Sequence, residues 1–195
     1  MKVRPFQWVG CAAAYTVAGL FASGLFGSGL GLVGKLVRFR SGGVLWPICF
    51  SGLAAVLAAR ELGLLEFELP EVRRQTEKVW ANEYSFALAS AMWGFHLGLG
   101  FATWMNYGGL WVLIIVSFAT GSPLYGALLM MTYWFGRALP VWIAPAVRAA
   151  DSAASLESLV RGRLLQQRAV GVGLAWVAIS AARIAFLDLL VDKMR

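Results

Sequence analysis

The chain has 195 residues, 59% of them hydrophobic and only 14% charged, with a formal net charge of +7. A soluble domain of this size has no room in one core for so large an apolar share, whereas a bilayer accepts it because the outside of a bundle is then apolar as well. The basic excess belongs to flanking loops: no dense Lys/Arg run with interleaved aromatics occurs, which excludes a nucleic-acid partner, and the length sets the expectation of a single transmembrane domain over residues 1–195.

Lys2 and Arg4 precede an apolar stretch that is far longer than a signal-peptide core and lacks a convincing cleavage site, so it is read as a retained first helix. A hydrocarbon core of about 30 Å is crossed by roughly 20 apolar residues in a helix, and about five segments qualify. They run from about Trp8 to Val37, Val44 to Leu65, Tyr84 to Thr120, Ser122 to Val147 and Ala169 to Val191. The predicted fold is therefore an all-α integral membrane protein, a bundle of about five transmembrane helices. The first segment, about 30 residues, and the third, about 37, exceed a simple crossing at about 1.5 Å per residue, which predicts tilted or broken helices. Trp104-Met105-Asn106-Tyr107-Gly108-Gly109 is the expected break in the third, with its core near 106–109. Irregular backbone at membrane depth persists only where protein or a water-filled cavity satisfies it, so a break points to a cavity.

Ser23, Gly27 and Gly31 recur at intervals of about four, as do Gly94, Gly98 and Ala102, the spacing that lets helix backbones approach closely. Trp8, Trp46, Trp80, Tyr84, Tyr107 and Trp111 fall near proposed ends or breaks, where aromatic residues favour the interface, while Trp93, Trp134 and Trp142 lie deeper and are read as filling helix contacts. Between the spans, Glu66 to Glu83 is a loop of mixed charge. Arg148 to Arg168 is a second loop in which Leu156, Leu159, Val160 and Leu164 have the spacing of a short amphipathic surface helix. Both long loops fall on the N-terminal side with Lys2, Arg4, Arg60, Arg73, Arg74 and Lys78. This bias favours a cytoplasmic N-terminus, against the opposing cluster Lys35, Arg38 and Arg40.

Two stretches resemble the transmembrane region of the CcdA/DsbD family. One is Ala119-Thr-Gly-Ser-Pro-Leu-Tyr-Gly-Ala-Leu-Leu-Met-Met-Thr-Tyr-Trp-Phe-Gly-Arg-Ala-Leu-Pro140. The other is Ala58-Ala-Arg-Glu-Leu-Gly-Leu-Leu65, followed by Arg74 and Gln75. With the glycine-rich first span the likeness extends over much of the chain. The resemblance implies a scaffold of two inverted three-helix repeats in a bacterial inner membrane, carrying reducing equivalents through a pair of membrane cysteines beside prolines. The position that would hold the second of these cysteines reads Phe101-Ala-Thr-Trp-Met-Asn-Tyr-Gly108, with neither Cys nor Pro, and the cysteine-bearing helix of the first repeat has no counterpart. A shared scaffold without the family's redox chemistry is the resulting expectation.

Cys11 and Cys49 are the only cysteines. In a simple hairpin they differ in depth by roughly 30 Å, and a disulfide needs α-carbons within about 7 Å, so they read as small buried hydrophobes before they read as a redox pair. His96 is the one histidine; in mid-span it can ligate a haem iron or a chlorin magnesium, line a proton path, or hydrogen-bond a neighbouring helix. Asn106 can cap a half-helix at the break. Arg137 and Arg183 are ionisable groups within spans and hence pathway candidates, with snorkelling, lipid phosphate or a carboxylate such as Asp188 as their structural alternatives. No zinc- or iron-like ligand spacing, catalytic triad or phosphate loop is present, and no cofactor is required. Three functions fit: a non-catalytic accessory or assembly subunit of a membrane redox or respiratory complex, a small transporter on the same scaffold, or a transmembrane thiol-disulfide electron carrier. The expected partners are the bilayer and other membrane subunits.

Overall fold

A computed structural model describes residues 5–37, 45–69, 80–100, 108–147 and 152–194, and the regular structure among them is entirely helical. The helices are α1 (Pro5–Leu36), α2 (Leu45–Glu61), α3 (Trp80–Glu83), α4 (Phe86–Gly98), α5 (Gly108–Ala119), α6 (Pro123–Val147) and α7 (Ser152–Met194). They cluster into two compact units. One comprises Met1–Phe39, Glu71–Met105 and Leu113–Ala149, and the other Arg40–Pro70, Asn106–Val112 and Ala150–Arg195. Two helical stretches, Gln7–Leu36 and Leu165–Leu187, are long and apolar enough to cross a membrane by length and composition.

In the first unit α1 packs along both α4 and α6. It is one continuous helix of 32 residues, so the possibility of a broken first span is corrected. Proline occurs in it only at Pro5, the first helical position, where it is tolerated. Its glycines act as contact surface. Ala12, Thr16, Gly19, Ala22, Ser23, Gly27, Gly31 and Gly34 are buried along one stripe, while Val17, Phe21, Leu25 and Leu32 are exposed on other faces. The stripe meets backbone. A Cβ at Gly27 would strike the carbonyl of Gly126 on α6, one at Gly31 the carbonyl of Ser122, one at Gly94 of α4 the carbonyl of Tyr15, and one at Gly98 that of Gly19.

Chain turns set the helix ends. Ser85 caps α4, its side chain accepting from the Leu88 N–H. Gly100 (φ 76°) and Gly121 (φ 54°) occupy the left-handed region after α4 and α5, where other residues are strained. Pro123 then opens α6 at the first helical position, directly after Gly121 and Ser122. The expected third span is two helices, α4 of 13 residues and α5 of 12, each about 20 Å or less and so short of a full crossing. Gly108 and Gly109 form the first turn of α5, and Trp104 to Tyr107, with the candidate Asn106, lie outside the described residues.

In the second unit α2 packs on α7. Gly171, Leu174, Ala178, Ala181 and Ala185 are buried at alternating three- and four-residue steps, the seam spacing of paired helices. Ser51 of α2 donates across this seam to the Ala178 carbonyl at 2.8 Å. The separate surface helix expected near 156–164 is instead the first part of α7, which runs 43 residues without a stop. The stretch is rich in Ala, Leu, Arg and Gln, and lone glycines such as Gly162 do not end a helix among such residues.

Gly27→Ala is expected to destabilise the first unit by about 1–3 kcal/mol, because backbone must separate to admit the methyl. Gly29→Ala, on the same helix but with open space at its Cβ, is expected to leave the melting temperature unchanged or slightly raised. Thermal unfolding followed by circular dichroism in one detergent checks the pair.

Candidate functional site

In the first unit Thr16 of α1 gathers the indole N–H groups of α6. Thr16 is 8% exposed. Its carbonyl accepts from Trp134 Nε1 at 3.0 Å, and its hydroxyl accepts from Trp142 Nε1 at 2.9 Å while donating to the Ala12 carbonyl at 2.7 Å. Both indole N–H groups of α6 are thereby satisfied by a single residue. Gly19 makes the arrangement possible, since a Cβ there would overlap the Trp134 ring. Tyr15 lies against the same indole at a centroid separation of 5.1 Å, and Trp8 meets Trp142 edge-on at 5.8 Å.

Beside this layer a cleft of about 330 Å³ is lined by Ala18, Trp80, Ala91, Met92, Phe95 and His96. His96 is half-buried, and its Nδ1 is fully buried with no hydrogen-bond partner. Trp80 meets the imidazole edge-on, with centroids 5.8 Å apart and planes at 87°. Trp80 was expected at a span end. The chain reverses at Tyr84–Ser85, so that α3 turns back beside α4 and its indole reaches a position about three turns into α4. The sequence gives Trp80 no such signal, because the reversal depends on the Ser85 cap and not on periodicity.

Among the described residues the second unit holds one buried charged cluster. The Glu61 side chain is 0% exposed and that of Arg60 12%, with Arg60 NH1 2.7 Å from Glu61 Oε1. The same Oε1 accepts the Gly108 N–H at 2.7 Å, so the carboxylate caps the start of α5. There the helix dipole favours negative charge. Arg60 Nε donates to the Phe67 carbonyl at 2.8 Å, and its guanidinium lies 5.7 Å from the Phe67 ring centroid. Glu61 Oε2 is buried without a partner. The end of α2 is held by Gly63 (φ 78°), with Leu64 N–H bonded to the Ala59 carbonyl, the left-handed helix terminus that only glycine adopts cheaply. Glu61 lies within Ala58–Leu65, where no local pattern assigns it this role. The available signal was a carboxylate adjacent to Arg60 at the edge of an apolar run.

The remaining candidates lie on different helices. Cys11, half-buried, and Cys49, exposed, are free thiols on α1 and α2, in different units. Arg137 is half-buried on α6 and has an interaction partner. Arg183 is exposed on α7. Among the described residues no three His, Cys, Asp or Glu side chains cluster as metal ligands.

Comparison with known proteins returns no match: no family model, no curated protein and no solved structure matches the chain.

Glu61→Leu is expected to destabilise the second unit by roughly 3–5 kcal/mol, since it strands the Arg60 guanidinium and the Gly108 N–H in a dry site. Glu61→Gln keeps an acceptor for both and is expected to cost about 1 kcal/mol. Chemical denaturation monitored by tryptophan fluorescence separates the two.

Proposed function

We propose that the protein is an integral membrane bundle of about five spans that serves as a non-catalytic accessory or assembly subunit of a membrane redox or respiratory complex. On this reading it is built on a scaffold like that of the CcdA/DsbD family and sits in a bacterial inner membrane. The observation that carries the partner half of the reading is the outer face of α7. Val172, Trp176, Ile179, Arg183, Phe186 and Leu190 are all exposed. They repeat at four- and three-residue steps, as the buried seam toward α2 does. Helix α7 has 43 residues and α2 has 17, lengths of about 64 and 26 Å, so α2 leaves much of α7 uncovered. Lipid covers an apolar stripe equally well, but a guanidinium within that stripe calls for a carboxylate or phosphate opposite it. Gly173, exposed with nothing near its Cβ position, adds a notch into which a partner backbone fits. A small transporter is the second reading. The feature favouring it is the buried, unpartnered Glu61 Oε2 at the opening of α5, and its signature is a flux lost in Glu61→Gln with folding intact.

The test uses tagged protein in native membranes. Resistance to alkaline carbonate extraction reports insertion, and native mass analysis after mild-detergent purification reports the assembly. The expected result is a membrane-resident complex of constant stoichiometry. Gly173→Leu and Arg183→Leu are expected to lower partner recovery at least tenfold while insertion and helicity stay unchanged. A chain that purifies alone, or a complex indifferent to both substitutions, ends the accessory-subunit reading.

A further inference from the structure

We propose that the cleft beside His96 binds the head group of an isoprenoid quinone. Its volume, about 330 Å³, falls at the small end of ligand sites, which are mostly apolar with few placed polar groups. Here the apolar walls are Ala18, Ala91, Met92 and Phe95, Trp80 supplies an aromatic face, and His96 is the single ionisable group among the lining residues. With Nδ1 dry and without a partner, the half-buried ring has only its other edge for exchanging hydrogen bonds, and the proton is assigned to Nε2. The cleft therefore offers an imidazole N–H donor, beside the Trp80 indole, in an apolar, aromatic setting. A quinone is complementary to this: a flat ring with carbonyl acceptors and an apolar tail. An acyl chain has no use for the imidazole. A porphyrin is larger than the cavity, and the chain has no second histidine to complete a bis-histidine site. Val17 and Phe21 flank Ala18 on α1 and are exposed along with Phe95, giving the tail an apolar path away from the ring. The proposal rests on the membrane half of the reading above, because a bilayer is the phase that supplies such a ligand. It is independent of any partner subunit.

Purified full-length protein in lipid nanodiscs is titrated with decylubiquinone, and binding is read by tryptophan quenching and by photo-crosslinking with an azidoquinone mapped to peptides. Saturable binding is expected, with crosslinks in the segments holding Trp80 and Met92–His96. His96→Leu is expected to weaken binding at least tenfold, and His96→Gln, which keeps a donor, only a few-fold. Met92→Trp, which fills the cleft, is expected to abolish binding at unchanged helicity. Non-saturable quenching, or equal affinity in wild type, His96→Leu and Met92→Trp, overturns the proposal. So does a stoichiometric porphyrin absorbance in the wild type that His96→Leu removes. Carbonate extraction of the same preparation distinguishes this failure from failure of the membrane reading: a membrane-resident chain that ignores quinone refutes the site alone.

Discussion

The first unit depends on the direct contact between the backbone of α1 and those of α4 and α6. Helices that meet at glycine associate through close packing and through polar contacts made at short range. Gly27 against Gly126 and Gly94 against Tyr15 remove the side-chain layer that would hold these helices apart. The long continuous α1 fits the same constraint: Gly19, Gly27, Gly31 and Gly34 are the positions at which another element arrives, whereas Gly10 and Gly29 face open space. Gly19 extends the principle from backbone to side chain, since the absence of a Cβ there admits the Trp134 indole. The cleft beside His96 is a consequence, because the approach of α4 to α1 at Gly94 and Gly98 brings Ala18 opposite Met92 and His96.

Polar groups in both units are used in multiples. Thr16 satisfies two indole donors through its carbonyl and hydroxyl, and Glu61 Oε1 serves both a guanidinium and a helix N-terminus. A dry interior makes this economical: each unsatisfied donor there costs more than in water, and one acceptor shared between two donors removes two such penalties. The exceptions are then informative. His96 Nδ1, Glu61 Oε2 and Ser117 Oγ are buried without partners among the described residues. They are positions at which structure alone leaves polar capacity unused.

Composition and apolar run length made the helical class legible and placed the ends of α1 and α6 within a few residues. The division of the third stretch into α4 and α5 was legible as excess length and clustered glycine. What periodicity could not reveal were features that depend on a second element. Glu61 lies 47 positions from the N–H it caps, and Thr16 lies 118 from the indole it receives. No local pattern encodes either pairing. The seamless α7 was missed for the opposite reason. A polar amphipathic stretch next to an apolar one suggested two elements, yet a helix continues through a change of environment as long as backbone propensity is uninterrupted.

The two stripes of α7 bear on how such a chain acts. Its inner stripe consists of Gly, Ala and one Leu and accepts α2 closely. Its outer stripe carries Trp176, Ile179 and Phe186, with Arg183 among them. On the proposed membrane reading, a helix that only anchors in lipid needs apolar bulk on its outer face, and an arginine within that face calls for a headgroup phosphate or a carboxylate at hand. Large aromatic residues, a guanidinium and an open glycine notch are, by contrast, the ingredients of helix recognition. The chain's own α2 uses the small-residue stripe, and the stripe of Trp176, Ile179, Arg183 and Phe186 is exposed.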